Sequence, residues 1–323
     1  MRIDALCITM SVMMTFVCSG CHSVNYRRVI GAIPRDTAEA YFVSEHAGLA
    51  ETAALHHIAI YWNGPSSTDD SEQQILLVER AINRKDMGIV LTPAAPFALD
   101  TVIQRALAHG MPVVILGAPI SLPEDPNLSF VLNDLQRVGW LAAERIHQIV
   151  GDQGEIAIVG ADPMSPGSTD CANAFEAALA EVAPHIRIVS KLMGPYTFGQ
   201  AEMVTEQAIE EHPHLVAIYA LNLGTTRGAV AAVRSSQAQG RVQIIGSDQG
   251  LDTLFLLRQG AIDSLLIEDM RGLGEQAVRN IVARRSGIPV KTVTYREPVV
   301  LTRDNINSDA MQQMLRMDWR PRE

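Results

Sequence analysis

Gly88-Ile89-Val90-Leu91-Thr92-Pro93, followed one helix-length later by Pro112-Val113-Val114-Ile115-Leu116, decides how this chain folds. Each stretch holds a short, uninterrupted aliphatic run, the pattern of a strand covered on both faces. Runs of the same kind recur before it, at Val29 to Ile33 and Ile58 to Trp62, and after it, at Ile156 to Val159, Ile186 to Val189, Leu215 to Ala220 and Val242 to Ile245. Between them lie segments with helical spacing, such as Ile75, Leu76, Val78, Glu79 and Ile82, or Leu141, Ile146, Ile149 and Val150. This alternation predicts right-handed βαβ units and a doubly wound α/β fold with parallel sheets. Punctuation agrees: Asp70 and Ser71 can cap the second helix, Gly110 with Pro112 ends the third, and Gly240 separates the helix through Val230 from the next strand.

The chain has 323 residues, 47% of them hydrophobic, which excludes a disordered or collagen-like polypeptide. That length exceeds one comfortable core, so two lobes are expected. No Pro/Gly/Ser-rich linker divides two halves, which implies that the chain passes between lobes more than once. Candidate crossings lie near Asn133-Asp134, Glu268-Asp269 and Pro298-Val299. A formal charge of -10 gives no general attraction to phosphate backbones, and no basic motif supplies a local one, so nucleic acid is not an expected partner.

Residues 1–21 have the anatomy of an export signal: Met1 and Arg2, an uncharged apolar run from Ala5 to Val17, then Cys18-Ser19-Gly20-Cys21. The run is shorter than the ~20 residues that span a bilayer. Small residues before Cys21 are similar to a lipobox, in which the cysteine is acylated and becomes the new N-terminus; Cys18 stands where leucine is usual. Ordinary secretion with cleavage nearby is the alternative. Either places the mature domain outside the cytoplasm. Three of the four cysteines, Cys7, Cys18 and Cys21, lie in this leader, so Cys171 has no intramolecular partner left in the mature chain.

The motifs of α/β enzymes are missing. Gly160-Ala161-Asp162-Pro163 is not a dinucleotide-binding loop, no phosphate-cradling G-x-x-x-x-G-K-[ST] loop occurs, and Gly246-Ser247-Asp248-Gln249-Gly250 lacks the serine placement of a nucleophile elbow. His212-Pro213-His214 suits a helix-to-strand turn better than a metal site. No catalytic residue, cofactor or metal is expected.

Five local stretches, taken in order, carry a resemblance. They are Glu39-Ala40-Tyr41-Phe42-Val43, Ile89-Val90-Leu91-Thr92-Pro93, Pro112-Val113-Val114-Ile115-Leu116, Ala217-Ile218-Tyr219-Ala220-Leu221-Asn222 and Ile244-Ile245-Gly246-Ser247-Asp248. Over nearly all of the mature chain the sequence resembles the ribose- and galactose-type (type I) periplasmic binding proteins, whose lobes also form the ligand core of lactose-repressor-like regulators. The resemblance implies two doubly wound lobes joined by three hinge crossings, with a ligand in the cleft between them. It implies 1–21 as leader, 22–27 as tether, 28–133 with 269–298 as the N-terminal lobe, and 134–268 with 299–323 as the C-terminal lobe. A repressor would need a DNA-binding module before the first strand, where this chain has a leader and a tether.

By this resemblance the ligand-binding positions are Glu39, Tyr41, Phe42, Thr92, Cys171, Phe198, Asn222, Asp248 and Glu268. Loops at the carboxyl ends of parallel strands converge on such a crevice. Tyr41, Phe42 and Phe198 offer aromatic faces to the C–H face of a sugar ring, with helix core as the other reading of Phe42. Asn222 and Asp248 suit a polyol, and either can also serve as an Asx turn or helix cap. Glu39 reads equally as a solvated surface carboxylate. Two departures bear on the ligand: Gly117-Ala118 stands where pentose- and hexose-binding members have Asp-Arg, and Cys171 where they have a cleft arginine. Losing two guanidinium forks argues against a copied ribose or galactose site and leaves a cleft with acidic character. The implied protein is a monomeric solute receptor for a sugar or sugar-like polyol, working with the membrane permease of an ABC-type importer and anchored by lipid at Cys21. A ligand-sensing subunit for a membrane signalling kinase would share every one of these features.

Overall fold

A computed structural model describes residues 28–37, 40–67, 70–95, 97–117, 119–163, 166–194 and 196–316. The leader, the tether, Cys21 and Glu39 lie outside the described residues.

Two six-stranded sheets organise the chain. The first contains β1 (Val29–Ile33), β2 (Ala59–Trp62), β3 (Gly88–Leu91), β4 (Val113–Gly117), β5 (Leu128–Asn133) and the late strand β11 (Val293–Arg296), in the order β11-β5-β4-β3-β1-β2. The second contains β6 (Gln153–Ala161), β7 (His185–Met193), β8 (Leu215–Ala220), β9 (Gln243–Ser247), β10 (Ser264–Ile267) and β12 (Val299–Thr302), in the order β12-β10-β9-β8-β6-β7. Every pairing is parallel except that of β10 with β12. Each sheet therefore repeats one doubly wound topology, with its order reversing beside β1 in the first and beside β6 in the second.

Helices α1 (Ala40–Leu55), α2 (Ser71–Arg84), α3 (Asp100–Ala108) and α9 (Met270–Arg285) cover the first sheet. Helices α4 (Leu135–Val150), α5 (Pro166–Val182), α6 (Phe198–Glu211), α7 (Leu223–Ser235) and α8 (Leu251–Gln259) cover the second, and α10 (Asp309–Met314) follows β12. Strand side chains alternate between faces, so the aliphatic runs feed two cores per lobe. In the first lobe Ile30, Val90, Val114 and Leu116 pack toward α1 and α9, while Ile33, Ile89, Leu91, Val113 and Ile115 pack toward α2 and α3. In the second, Ile156, Ile158 and Tyr219 face α4 and α5, while Val159, Ile218 and Ile244 face α6 and α7. Helix α9 joins the first lobe by close approach to α1: a Cβ at Gly48 would lie 2.0 Å from the Arg271 carbonyl oxygen, and one at Gly274 would lie 2.3 Å from that of Glu45. Only hydrogen fits there.

Strands β5, β10, β11 and β12 are additions to the eight runs read from sequence. Three of them are four residues long; the burial of β11 alternates at the sheet edge, β10 is buried throughout but holds only the short run Leu265 to Ile267, and Ser129 interrupts the apolar run of β5. They are also the strands at which the chain changes sheets. It passes from β5 to α4, from β10 to α9, and from β11 to β12.

Candidate functional site

At the crossings, three segments are tied together. Asn133, ending β5, donates through Nδ2 to Oε2 of Glu268, which follows β10. Asp134 caps α4 by accepting from Arg137 N at 2.9 Å, and its own N–H donates to the Arg296 carbonyl at 3.3 Å. Asp269 caps α9 by accepting from Gly272 N at 2.8 Å, and Arg296 of β11 forks onto its Oδ2. Asp is a favoured N-cap because its oxygen satisfies one of the first free helix N–H groups, so two crossings end in a helix start.

The carboxyl ends of the strands supply the rest. Thr92 follows β3; its N–H bonds to the Ile33 carbonyl, and its hydroxyl donates to Glu45 Oε2 at 3.0 Å. Glu45 projects from α1 into a fully buried position, and burial pushes its carboxyl up to about 8 against the opposing pull of the Thr92 hydroxyl. Buried Gln74 of α2 clamps the same corner: Nε2 donates to the Pro34 carbonyl at 2.8 Å and the Thr92 carbonyl at 2.9 Å, and Oε1 accepts from Ala94 N at 2.9 Å. The loops after β1 and β3 are thereby locked to one another.

In the second lobe Asn222 ends β8 and caps α7, its Oδ1 accepting from Thr225 N at 2.9 Å. Asp248 ends β9 in the left-handed region, φ 66°, a conformation that Asp tolerates better than most side chains and that marks strained positions. Its Oδ2 accepts from Leu223 N at 3.1 Å, linking the end of β9 to the start of α7, and its own N–H donates to the Leu266 carbonyl. Next to it, Gln249 reaches the other lobe: Nε2 donates to Ser44 Oγ of α1 at 3.0 Å, with both residues buried. Partial burial, then the neighbouring Asp248 charge, pushes the Glu268 carboxyl up to about 8, opposed by Asn133.

Asn222, Asp248, Glu268 and Thr92 thus all stand at strand ends. Cys171, on α5, is buried in the core of the second lobe, and the thiol is pushed far up by burial and by Glu268, Asp248 and Asp170, so it is no nucleophile at neutral pH. Phe42 corrects the expectation of an aromatic pair: it is 1% exposed and belongs to the core with Ile30, Leu49, Met270 and Leu273, because it occupies the inward side of α1. Tyr41 lies in the first turn of α1, and Glu39 falls outside the described residues. Phe198, first residue of α6, is 49% exposed above the Thr197–Gln200 capping box. Sequence reasoning missed Gln74, Glu45, Ser44 and Gln249. Gln249 carries a signal in its place beside Asp248; the other three act through contacts with residues far away in sequence.

Among the described residues no group of histidine, cysteine and carboxylate side chains is arranged to hold a metal ion, and no helix is long and apolar enough to cross a membrane. Two doubly wound lobes, joined by tied crossings and facing each other with polar strand ends, define the class of hinged type I binding proteins. A family model described as a periplasmic binding protein domain matches residues 30–287, and the chain belongs to that family. Membership makes it a periplasmic binding protein rather than an enzyme.

Among curated relatives, the D-ribose/D-allose-binding protein of Pseudomonas aeruginosa is 26% identical over 231 residues, 70% of this chain and 69% of that protein. The D-allose-binding periplasmic protein of Escherichia coli is 23% identical over 255 residues, 76% and 81% of the two chains. Among solved structures, a carbohydrate transporter solute-binding protein from Agrobacterium radiobacter in complex with D-arabinose superposes with a TM-score of 0.78 at 21% identity, covering 90% of this chain and 99% of that one. AraP, an arabinose-binding protein from Geobacillus stearothermophilus, gives 0.80 at 20% identity over 87% and 98%. At these identities the structures share the fold.

Proposed function

We propose that the protein is the solute-binding subunit of an ABC-type importer, closing on a sugar or sugar-like polyol between its lobes. The observation that carries this reading is the contact between polar strand ends of two separate sheets: Asn133 of the first bonds to Glu268 of the second, and Gln249, beside Asp248, bonds to Ser44 of α1. The relatives named above are described as sugar-binding, which favours the same ligand class. The lobes are assigned as 28–133 with 269–298 and 134–268 with 299–323. Binding across the seam favours the closed form, and the membrane permease recognises that form; two or three charge-assisted hydrogen bonds suffice to bias such an equilibrium. Asn222 contacts the ligand through Nδ2, since its Oδ1 caps α7, and Asp248 through its carboxylate. Acylation of Cys21 holds the monomeric receptor at the membrane. A thermal-shift screen of the mature chain against pentoses, hexoses and polyols tests the reading, because a tight ligand raises Tm by mass action. If no sugar or polyol shifts Tm, the reading fails. Release of a Cys21→Ser variant into the soluble fraction tests the anchor, and continued membrane attachment would refute it.

A further inference from the structure

The amino ends of β1 to β4 gather at the end of the first lobe opposite their polar carboxyl ends, and a set of cations lies exposed there. Arg28, just before β1, donates through Nη2 to the His56 carbonyl at 2.8 Å, where α1 gives way to β2. Met87 N donates to the Val29 carbonyl at 2.8 Å; Arg285, ending α9, donates through Nε to the Met87 carbonyl at 2.6 Å and through Nη1 to that of Gly110 at 3.3 Å. Exposed Lys85, the C-cap of α2, lines one recess with His109 and Arg285. These bonds place Arg28, Lys85 and Arg285 on a single face, and Leu55 and Ile288 border it, 80% and 57% exposed.

The carboxylates nearby do not cancel these charges. Asp86 is 2% exposed and engaged by Arg84, Glu51 is engaged by Arg271, and Glu124 with Asp125 lies beyond β4, before β5. Helix carboxyl ends attract cations wherever they gather. Yet at the equivalent end of the second lobe Arg145 is paired with Asp263 and Arg187 with Glu155, and Asp152 is exposed. The lobes share one topology, so topology does not account for the excess in the first.

Arg28 follows Cys21 by seven residues, which span at most ~25 Å of chain. An acyl group on Cys21 therefore holds this face near the bilayer. Salt screens charges beyond about 8 Å, so the sign of the nearest face outweighs the net charge of -10.

We infer that this face of the first lobe rests on an anionic phospholipid bilayer, with Arg28, Lys85 and Arg285 against the headgroups and Leu55 and Ile288 in the interface. Cations beside a lipid anchor favour an anionic leaflet, and bordering apolar side chains add burial at the acyl boundary. The strand carboxyl ends then point away from the anchoring membrane.

This inference rests on the Cys21 anchor, so the test supplies an anchor of its own. The mature chain, beginning at Cys21, is coupled through that thiol to a maleimide lipid in vesicles of phosphatidylcholine with or without phosphatidylglycerol; Cys171 is buried. The lysines of the chain are Lys85, Lys191 and Lys291, so brief amine acylation read by mass spectrometry compares Lys85 with Lys191 of the second lobe. On phosphatidylglycerol, Lys85 labelling falls about 5-fold relative to Lys191, and the fall is lost on pure phosphatidylcholine and in ~0.5 M salt. Arg28→Gln, and independently Leu55→Ser, restores most of the labelling, whereas Arg234→Gln with Arg258→Gln on the second lobe does not. Equal Lys85 labelling on the two kinds of vesicle overturns the inference, and restoration by the second-lobe pair overturns the assignment of the face. Failure of the anchor is read separately, from fractionation of Cys21→Ser.

Discussion

The two lobes repeat one strand order but finish their cleft edges differently. In the first lobe Gln74 uses both ends of its amide to bind the loops after β1 and β3, and Thr92 closes on Glu45. In the second, Asp248 sits in a strained backbone conformation and Gln249 keeps an unpaired oxygen. Around Gln74 the first edge closes on itself, although Asn133 Oδ1 of the same lobe has no hydrogen-bond partner, and the second edge leaves Gln249 Oε1 unspent. A shared topology therefore fixes where strand ends gather, while local hydrogen bonding decides which loops are tied to one another.

The sharpest way to break this contrast is through Glu45, the buried carboxyl of the first edge. Its folded value near 8 lies above the ordinary 4.5, so the native chain keeps a proton that the unfolded chain gives up. Stability is then fully present below about 4.5 and falls by a few kcal/mol as pH rises toward about 8. Urea unfolding across that window should show the decline, and Glu45→Gln should flatten it; an unchanged slope would remove Glu45 as its source.

Next in size, Gln74→Leu strands the Pro34 and Thr92 carbonyls and the Ala94 N–H, at a cost of about 3 kcal/mol in chemical unfolding. A loss under ~1 kcal/mol would mean that the first-lobe loops hold themselves.

Asp248→Asn probes the second edge. Asn rather than Ala is the right replacement, because φ 66° penalises residues without a short polar side chain. Ligand affinity should fall by about 1.5–2 kcal/mol with little change in Tm. Equal affinity in the variant would take Asp248 out of the site. The smallest effect belongs to Gln249→Ala, which removes the bond to Ser44 across the seam and should shift the unliganded chain toward the open form by about 1 kcal/mol, read as a larger radius of gyration by X-ray scattering.

Much of the architecture was legible in the sequence, because parallel strands covered on both faces advertise themselves as aliphatic runs: β1, β3 and β8 occupy the runs at Val29, Gly88 and Leu215. Of the strands beside the crossings, β11 and β12 were not legible because edge strands of four residues carry neither length nor continuous burial, while the interior β10 is too short and β5 is interrupted by Ser129. Strand-end residues such as Asn222 and Asp248 could be placed because a strand end is itself a sequence signal. Gln74, Glu45 and Ser44 could not, because each is polar within a helix, where the bland expectation is solvent, and each is buried by a partner at least 18 residues away in the chain. Phe42 failed in the opposite sense: its aromatic character suggested a ligand, while its helical phase committed it to the core.

The tying of Asn133 to Glu268, Asp134 to Arg296 and Arg296 to Asp269 has a mechanical consequence. Three separate strands would permit twist and sideways slip as well as bending. Laced together, they resist independent movement, so a shift in any one crossing must carry the other two with it.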